Sequence, residues 1–281
     1  MSSYMPAPGR SPAHTFTNLR IFCLKIKSYL CRIALSRKAR GAQQIIRIMG
    51  RLYDELIKDY RVREGLKTCI NCGTCTAICP AAEFYRYDPR KIVDTVQSKD
   101  EDEIEKLLKS DTIWYCGECM SCVTRCPRKN GPGLVIMALR NLSARLGYFT
   151  CSEKGRQLLP LTRMLTGNIL KYGYCIYPDT FRWEDHVESG PVWKWHTEHL
   201  CDSLERLGAN YKGEGPGVLR KIPQESLDEL KSIFDVTGGT ERIETVEKYS
   251  RKKAEEMGLD MDEYLRMTFE QASPGHLNDE Q

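Results

Sequence analysis

Cys69-Ile70-Asn71-Cys72-Gly73-Thr74-Cys75-Thr76-Ala77-Ile78-Cys79-Pro80 spaces four cysteines as C-x2-C-x2-C-x3-C-P. Cys116-Gly117-Glu118-Cys119-Met120-Ser121-Cys122-Val123-Thr124-Arg125-Cys126-Pro127 repeats the spacing without change. Three thiolates at i, i+3 and i+6 in a tight loop can wrap three corners of one [4Fe–4S] cube. The fourth sits beyond them, followed by Pro, where the chain turns away and its thiolate reaches a second cube. The expected ligands are Cys69, Cys72, Cys75 and Cys126 for one cluster, and Cys116, Cys119, Cys122 and Cys79 for the other. Gly73 and Gly117 suit backbone that must approach sulfide closely.

Zinc sites use paired C-x2-C knuckles with four ligands per ion, and have no use for a third cysteine at i+6 or a fourth before Pro, twice over. A disulfide framework needs an exported chain, and no export signal is visible. The spacing is that of two-cluster bacterial ferredoxins. Of the thirteen cysteines, Cys151, Cys175 and Cys201 are isolated and expected to be part-buried structural thiols, while Cys23 and Cys31 receive no role.

The segments around the cysteine runs read as helices. Asp88-Pro89 is an N-cap followed by Pro at the first helical position, and Ile92, Val93 and Val96 mark one face. From about Asp100, Ile104, Leu107 and Leu108 make a second stripe at helical spacing. Upstream, Leu52, Tyr53, Leu56, Ile57 and Tyr60 form another. Downstream, Gly131-Pro132-Gly133 opens a segment with Val135, Ala138, Leu139, Leu142 and Leu146, stopped by Gly147. A small β-type ferredoxin would have strands and a shorter spacer. The expected fold is therefore mainly α: an α-helical ferredoxin domain carrying two [4Fe–4S] clusters over 49–150, and a helical C-terminal extension over 151–281.

In the extension, 154–172, 192–207, 224–234, 240–257 and 261–270 read as helices, with an aromatic loop from Tyr172 to Pro191 and a polar tail from Ala272. His196 and His199 could share one helix face as metal ligands, but no third ligand is near, and a solvated or packed pair is the plainer reading. Trp193 and Trp195 read as packing or partner contacts. Gly213-Glu214-Gly215-Pro216-Gly217 lacks the G-K-[ST] ending of a phosphate loop and reads as a linker.

The chain has 281 residues, and its net charge of +4 is unevenly spread. Residues 1–50 hold nine basic side chains and no acidic one, whereas 51–281 hold 33 basic and 38 acidic. The mildly acidic body gives no case for a nucleic-acid partner. The segment 1–48 reads as a disordered or mis-assigned extension ahead of a start at Met49, with a mitochondrial transit peptide as the other composition-based reading. The longest apolar stretch, Leu19 to Leu35, is broken by Arg20, Lys25, Lys27 and Arg32, so no integral membrane segment is expected.

No G-x-G-x-x-G follows a strand, so nothing supports a flavin or nicotinamide fold, and no Ser/His/Asp arrangement is arguable. Every redox group implied by the cysteines is a one-electron carrier whose eight ligands are consumed in closed cubes. The chain is thus expected to move electrons, with the reactive centre on a partner.

Residues 52–150 resemble the C component of heterodisulfide reductase, its small iron–sulfur subunit. The resemblance rests on Thr68-Cys69-Ile-Asn-Cys72-Gly-Thr-Cys75, Cys79-Pro80, Tyr85, Pro89-Arg90-Lys91-Ile92, Trp114-Tyr115-Cys116-Gly-Glu-Cys119-Met-Ser-Cys122, Cys126-Pro127 and the helix opening at Gly131-Pro132. It implies a cytoplasmic electron-transfer protein that passes electrons from a flavin-containing donor subunit to a catalytic subunit that reduces a disulfide. That catalytic partner, the B component of the family, carries adjacent-cysteine motifs, and this chain has no Cys-Cys pair. The alternative is the iron–sulfur subunit of another respiratory complex. The fumarate reductase type adds a C-x4-C-x2-C domain that Cys23 and Cys31 cannot supply, and the glycolate oxidase type carries adjacent cysteines.

Overall fold

The computed structural model describes residues 52–183 and 190–271. The basic segment 1–48, the Met49 start and the tail from Ala272 lie outside these described residues. Within them the chain forms helices and short 3-10 turns, with no strand.

Two helices, α1 (Leu52–Lys58) and α2 (Tyr60–Gly65), replace the single stripe expected from Leu52 to Tyr60. The break falls at Asp59, which is extended and accepts a hydrogen bond from the Arg61 N–H as an N-cap. Capping turns Tyr60 outward to 66% exposure, so it leaves the apolar face, while Leu56 and Val62 are buried. The first cysteine loop follows, then α3 (Thr74–Ala77) and α4 (Ala81–Phe84). The spacer is α5 (Pro89–Ser98) and α6 (Glu101–Lys109). Asp88 caps α5 by accepting from the Arg90 and Lys91 amides, and Asp100 caps α6 by accepting from Asp102 and Glu103. Their inner faces bury Ile92, Val93, Val96, Ile104 and Leu108. The second cysteine loop leads to α7 (Ser121–Arg125) and then α8 (Pro132–Leu146).

Helix α8 is the central element. It buries Val135, Ile136, Ala138, Leu139, Leu142 and Ala144, too wide a set for a surface helix, and packs against α2, α5 and α6. Its first turn meets α2 backbone to backbone: the Gly131 N–H donates to the Gly65 carbonyl at 2.7 Å. A Cβ at Gly65 would lie 2.8 Å from the Gly131 oxygen, so only glycine permits this approach. Gly147, at φ +79, ends α8 in the left-handed conformation.

The remaining helices are α9 (Glu153–Arg156), α10 (Leu158–Tyr172), α11 (Pro191–Glu198), α12 (Leu200–Arg206), α13 (Gln224–Thr237), α14 (Gly239–Met257) and α15 (Met261–Glu270). The expected helix 154–172 restarts at Leu158, because Pro160 has no N–H for the Arg156 carbonyl. The expected helix 192–207 is split at His199, which leaves helical geometry at φ −116 and ψ 32. Phe149, Leu159, Val246, Ala254 and Tyr264 form one buried cluster, with Trp114, Leu158 and Tyr249 packed against it. The C-terminal helices α14 and α15 therefore share a core with Phe149, just beyond α8. Among the described residues no helix is long and apolar enough to cross a membrane.

Candidate metal centre

The two cysteine runs fold into two copies of one loop. Asn71 and Glu118, equivalent in the repeat, both sit in the left-handed region at φ 56 and 53, and the next equivalent pair, Gly73 and Met120, do so at 81 and 59. These turns aim backbone amides at sulfur: the Asn71 N–H donates to Cys69 Sγ and the Glu118 N–H to Cys116 Sγ, each at 3.4 Å. A short helix then begins in each copy, α3 after Gly73 and α7 after Met120, and these two helices pack against each other.

That packing draws the fourth cysteine of each run away from its own loop. Cys69, Cys72, Cys75 and Cys126 line one pocket. Cys79, Cys116, Cys119 and Cys122 line another. Among the described residues no three His, Cys, Asp or Glu side chains converge closely enough for a single metal ion; the thiols are instead spread around two pockets, four to each. Each wall also holds a buried donor with no nitrogen or oxygen partner, Arg90 Nε at the first cavity and Tyr87 Oη at the second. Four thiols, sulfur-directed amides and a spare donor per cavity form a donor set that fits a sulfide-rich cluster in each.

Residues absent from the sequence-based ligand set hold the loops in place. Along α5, Arg90, Val93, Asp94 and Gln97 make one i, i+3, i+4, i+7 stripe facing the first loop. Gln97 Oε1 accepts from the Cys69 N–H at 2.7 Å, and Asp94 Oδ1 accepts from Asn71 Nδ2 at 3.0 Å. Buried Asn130 accepts from the Lys67 N–H at 2.6 Å and donates to the Thr68 carbonyl at 3.2 Å. The second loop is held from α8 in the same rhythm by Gly133, Ile136 and Arg140. Arg140 donates to the carbonyls of Ile113 (2.7 Å) and Cys116 (2.6 Å) and pairs with Glu118 (2.7 Å). Its guanidinium also lies over the Trp114 ring.

The thiols divide by environment. The Thr74 hydroxyl beside Cys72, and the Ser121 hydroxyl beside Cys119, hold those exposed thiols below the usual range. Burial pushes Cys75 and Cys122 up. Burial likewise raises Tyr87 far above an ordinary phenol, with Cys116 adding to the shift, so its O–H stays a donor.

The other candidates fall elsewhere. His199 stacks on Trp195, with Nδ1 2.9 Å from the Trp195 carbonyl, and His196 meets Trp193 edge-on. Asn210 ties the 213–217 loop by donating to the Glu214 and Pro216 carbonyls. Cys151, Cys175 and Cys201 are exposed, which corrects the expectation of part-buried thiols. Cys151 ends a 3-10 turn, Cys175 lies between helices and Cys201 sits in the first turn of α12.

The folded cysteine region is that of a dicluster iron–sulfur protein. Residues 65–130 match the family model of the 4Fe-4S dicluster domain, whose cofactors are two [4Fe–4S] clusters. The chain is 46% identical over 83 residues to the C component of the ferredoxin:CoB-CoM heterodisulfide reductase of Methanosarcina acetivorans, a match covering 30% of this chain and 32% of that relative. It is 35% identical over 175 residues to the C component of the H2:CoB-CoM heterodisulfide,ferredoxin reductase of Methanothermobacter marburgensis, covering 62% and 76%. With the C component of the ferredoxin:CoB-CoM heterodisulfide reductase of Methanosarcina mazei it shares 31% identity over 167 residues, covering 59% and 82%. The chain therefore belongs to the heterodisulfide reductase C-component family of iron–sulfur subunits. It spans about a third of the M. acetivorans relative's length.

Proposed function

We propose that this chain is the electron-relay subunit of a heterodisulfide reductase-like complex. The observation that carries the reading is the pairing of thiols into two mixed sets of four, each drawing three from one run and one from the other. Bound [4Fe–4S] clusters supply reversible one-electron chemistry. The chain's own residues then have defined tasks. Cys69, Cys72, Cys75 and Cys126 hold one cluster, and Cys116, Cys119, Cys122 and Cys79 hold the other. Gln97, Asn130 and Arg140 fix the loops, and the paired helices α3 and α7 keep the two sites side by side. The dicluster domain is 49–150, and 151–281 is the helical extension.

In this reading the chain carries electrons only, and the reacting substrate belongs to another chain. Its donor is a flavin-containing subunit and its acceptor a catalytic chain of the B-component kind with adjacent-cysteine motifs, all in the cytoplasm. The test is anaerobic purification through an affinity tag from the native host, with iron, sulfide and EPR quantified. About eight irons per chain, two cubes' worth, with a Cys-Cys-rich partner are expected. A stable iron-loaded monomer without such a partner would remove the relay role, and zinc in place of iron would remove the clusters. Cys126→Ser is expected to abolish the signal of the first-run cluster and Cys79→Ser that of the second. Loss confined to each residue's own run would refute the crossed ligation.

A further inference from the structure

The two cavities are copies in backbone and unlike in charge. The first is walled by two guanidinium groups, Arg90 and Arg128. No charged side chain lines the second, whose wall comprises Pro80, Ala81, Tyr87, Pro89, Met120 and Ile136 besides its thiols and small residues. Arg128 follows Cys126-Pro127, and the residue at the same place after Cys79-Pro80 is Ala81. The repeat therefore sets an arginine against an alanine.

Arg90 is held for a purpose that the protein alone does not use. Its Nη2 donates to Asp88 Oδ2 at 3.0 Å. Asp88 is itself fixed by accepting from the Thr76 hydroxyl and the Arg90 and Lys91 amides. The fork is thus anchored at one end, while Nε is buried without an acceptor in the wall shared with Cys75. Arg128 is exposed and has no acidic partner among the described residues. Arg140 at the second loop is paired with Glu118 as Arg90 is with Asp88, but its remaining donors go to the Ile113 and Cys116 carbonyls and it does not line the cavity; the donor in that wall is the uncharged Tyr87 hydroxyl. A cluster gains one negative charge on reduction. Cations and charge-assisted donors beside it favour the reduced form and raise its potential.

We propose that Arg90 and Arg128 make the first-cavity cluster the higher-potential member of the pair, so that a single electron shared between the two clusters rests there. Sharing conserves charge: one cluster is oxidised as the other is reduced. The inference rests on the reading that each cavity holds a cluster, and it orders the relay, with entry through the Cys79/Cys116/Cys119/Cys122 site.

The test is an EPR-monitored redox titration of the full anaerobic chain with dithionite, its two signals assigned through Cys126→Ser and Cys79→Ser. In the wild type the first-cavity signal is expected to appear first. Arg90→Gln and Arg128→Gln should each shift the electron partition about tenfold toward the second cluster, equal to about 59 mV for a one-electron couple. Iron content and the second cluster's potential should be unchanged. Should Arg90→Gln shed iron, Arg128→Gln decides, because it disturbs no hydrogen-bond network. Eight irons with unmoved potentials, or equal shifts in both clusters, would overturn this inference alone. A wild-type chain that takes up no iron would overturn the cluster reading and this one with it.

Discussion

Arg140→Ala is expected to loosen the second cysteine loop selectively. Arg140 projects from α8 and makes three charged contacts: to the Ile113 carbonyl at 2.7 Å, the Cys116 carbonyl at 2.6 Å and the Glu118 carboxylate at 2.7 Å. Hydrogen bonds to charged groups contribute about 1.5–3 kcal/mol each, so the two carbonyl contacts bound the loss at about 3–6 kcal/mol. The Glu118 pair adds little, since that carboxylate is 39% exposed and surface pairs contribute about 0–1 kcal/mol. Water entering the vacated space recovers part of the rest. Groups that orient metal ligands typically change affinity by about 10–100-fold, or about 1.4–2.7 kcal/mol, and that is the expected range. The assay is iron release to a chelator under anaerobic conditions, with EPR reporting which cluster goes. About half the iron should leave about 10–100-fold faster than from wild type, while the Cys69/Cys72/Cys75/Cys126 signal persists. Arg140→Lys should lie between, because an ammonium cannot reproduce the planar fork. Equal loss from both clusters, or no acceleration, would refute the assignment of Arg140 to the second loop.

Two further substitutions test the packing behind the site. Gly147→Ala places a Cβ 2.4 Å from the Tyr249 ring while holding φ at +79; the left-handed penalty alone is about 1–2 kcal/mol, so a total above about 2 kcal/mol is expected, and a melting temperature equal to wild type would contradict it. Phe149→Ala empties the centre of the cluster formed with Leu159, Val246, Ala254 and Tyr264. Such truncations cost about 3–5 kcal/mol, and at about 2–4 °C per kcal/mol for a chain of this size the thermal transition should fall by about 6–20 °C; a smaller fall would show that α14 and α15 stand apart from the residues before 150.

The cofactor class was legible because it is written in spacing. A thiolate every third residue in a loop has few other uses, and Asp88-Pro89 or Gly147 mark helix ends through local backbone chemistry that needs no tertiary context. Breaks were harder to read. Asp59 looks like one more polar position in an apolar stripe until its carboxylate is seen capping α2. Pro160 sits where a first-turn Pro is tolerated, so its power to divide 154–172 depends on where the helix is already known to start. The loop clamps were hidden for a different reason. Gln97, Asn130 and Arg140 lie 28, 62 and 24 residues from the groups they bind, and nothing local marks them. A partial signal was available: the polar residues 90, 94 and 97 recur at helical spacing away from the buried Ile92 and Val96. Polar positions on a face that must meet a cysteine loop are candidates to hold it.

Duplication conserves the loops of this fold and leaves their surroundings free to differ. The left-handed turns at Asn71 and Glu118, the amide–sulfur bonds at 3.4 Å and the hydroxyls of Thr74 and Ser121 recur because the cysteine spacing demands them. The walls are supplied by non-equivalent elements. Arg90 and Val93 reach the first cavity from α5, whereas Gly133 and Ile136 reach the second from α8. At Gly133 a Cβ would lie 3.0 Å from the Met120 sulfur and 3.6 Å from Cys122 Sγ, so α8 runs in close contact with the second site there. One pocket is thus lined by a helix face that includes an arginine and the other by a face without charge. The loops make the two sites alike, and the segments that cover them make their surroundings differ.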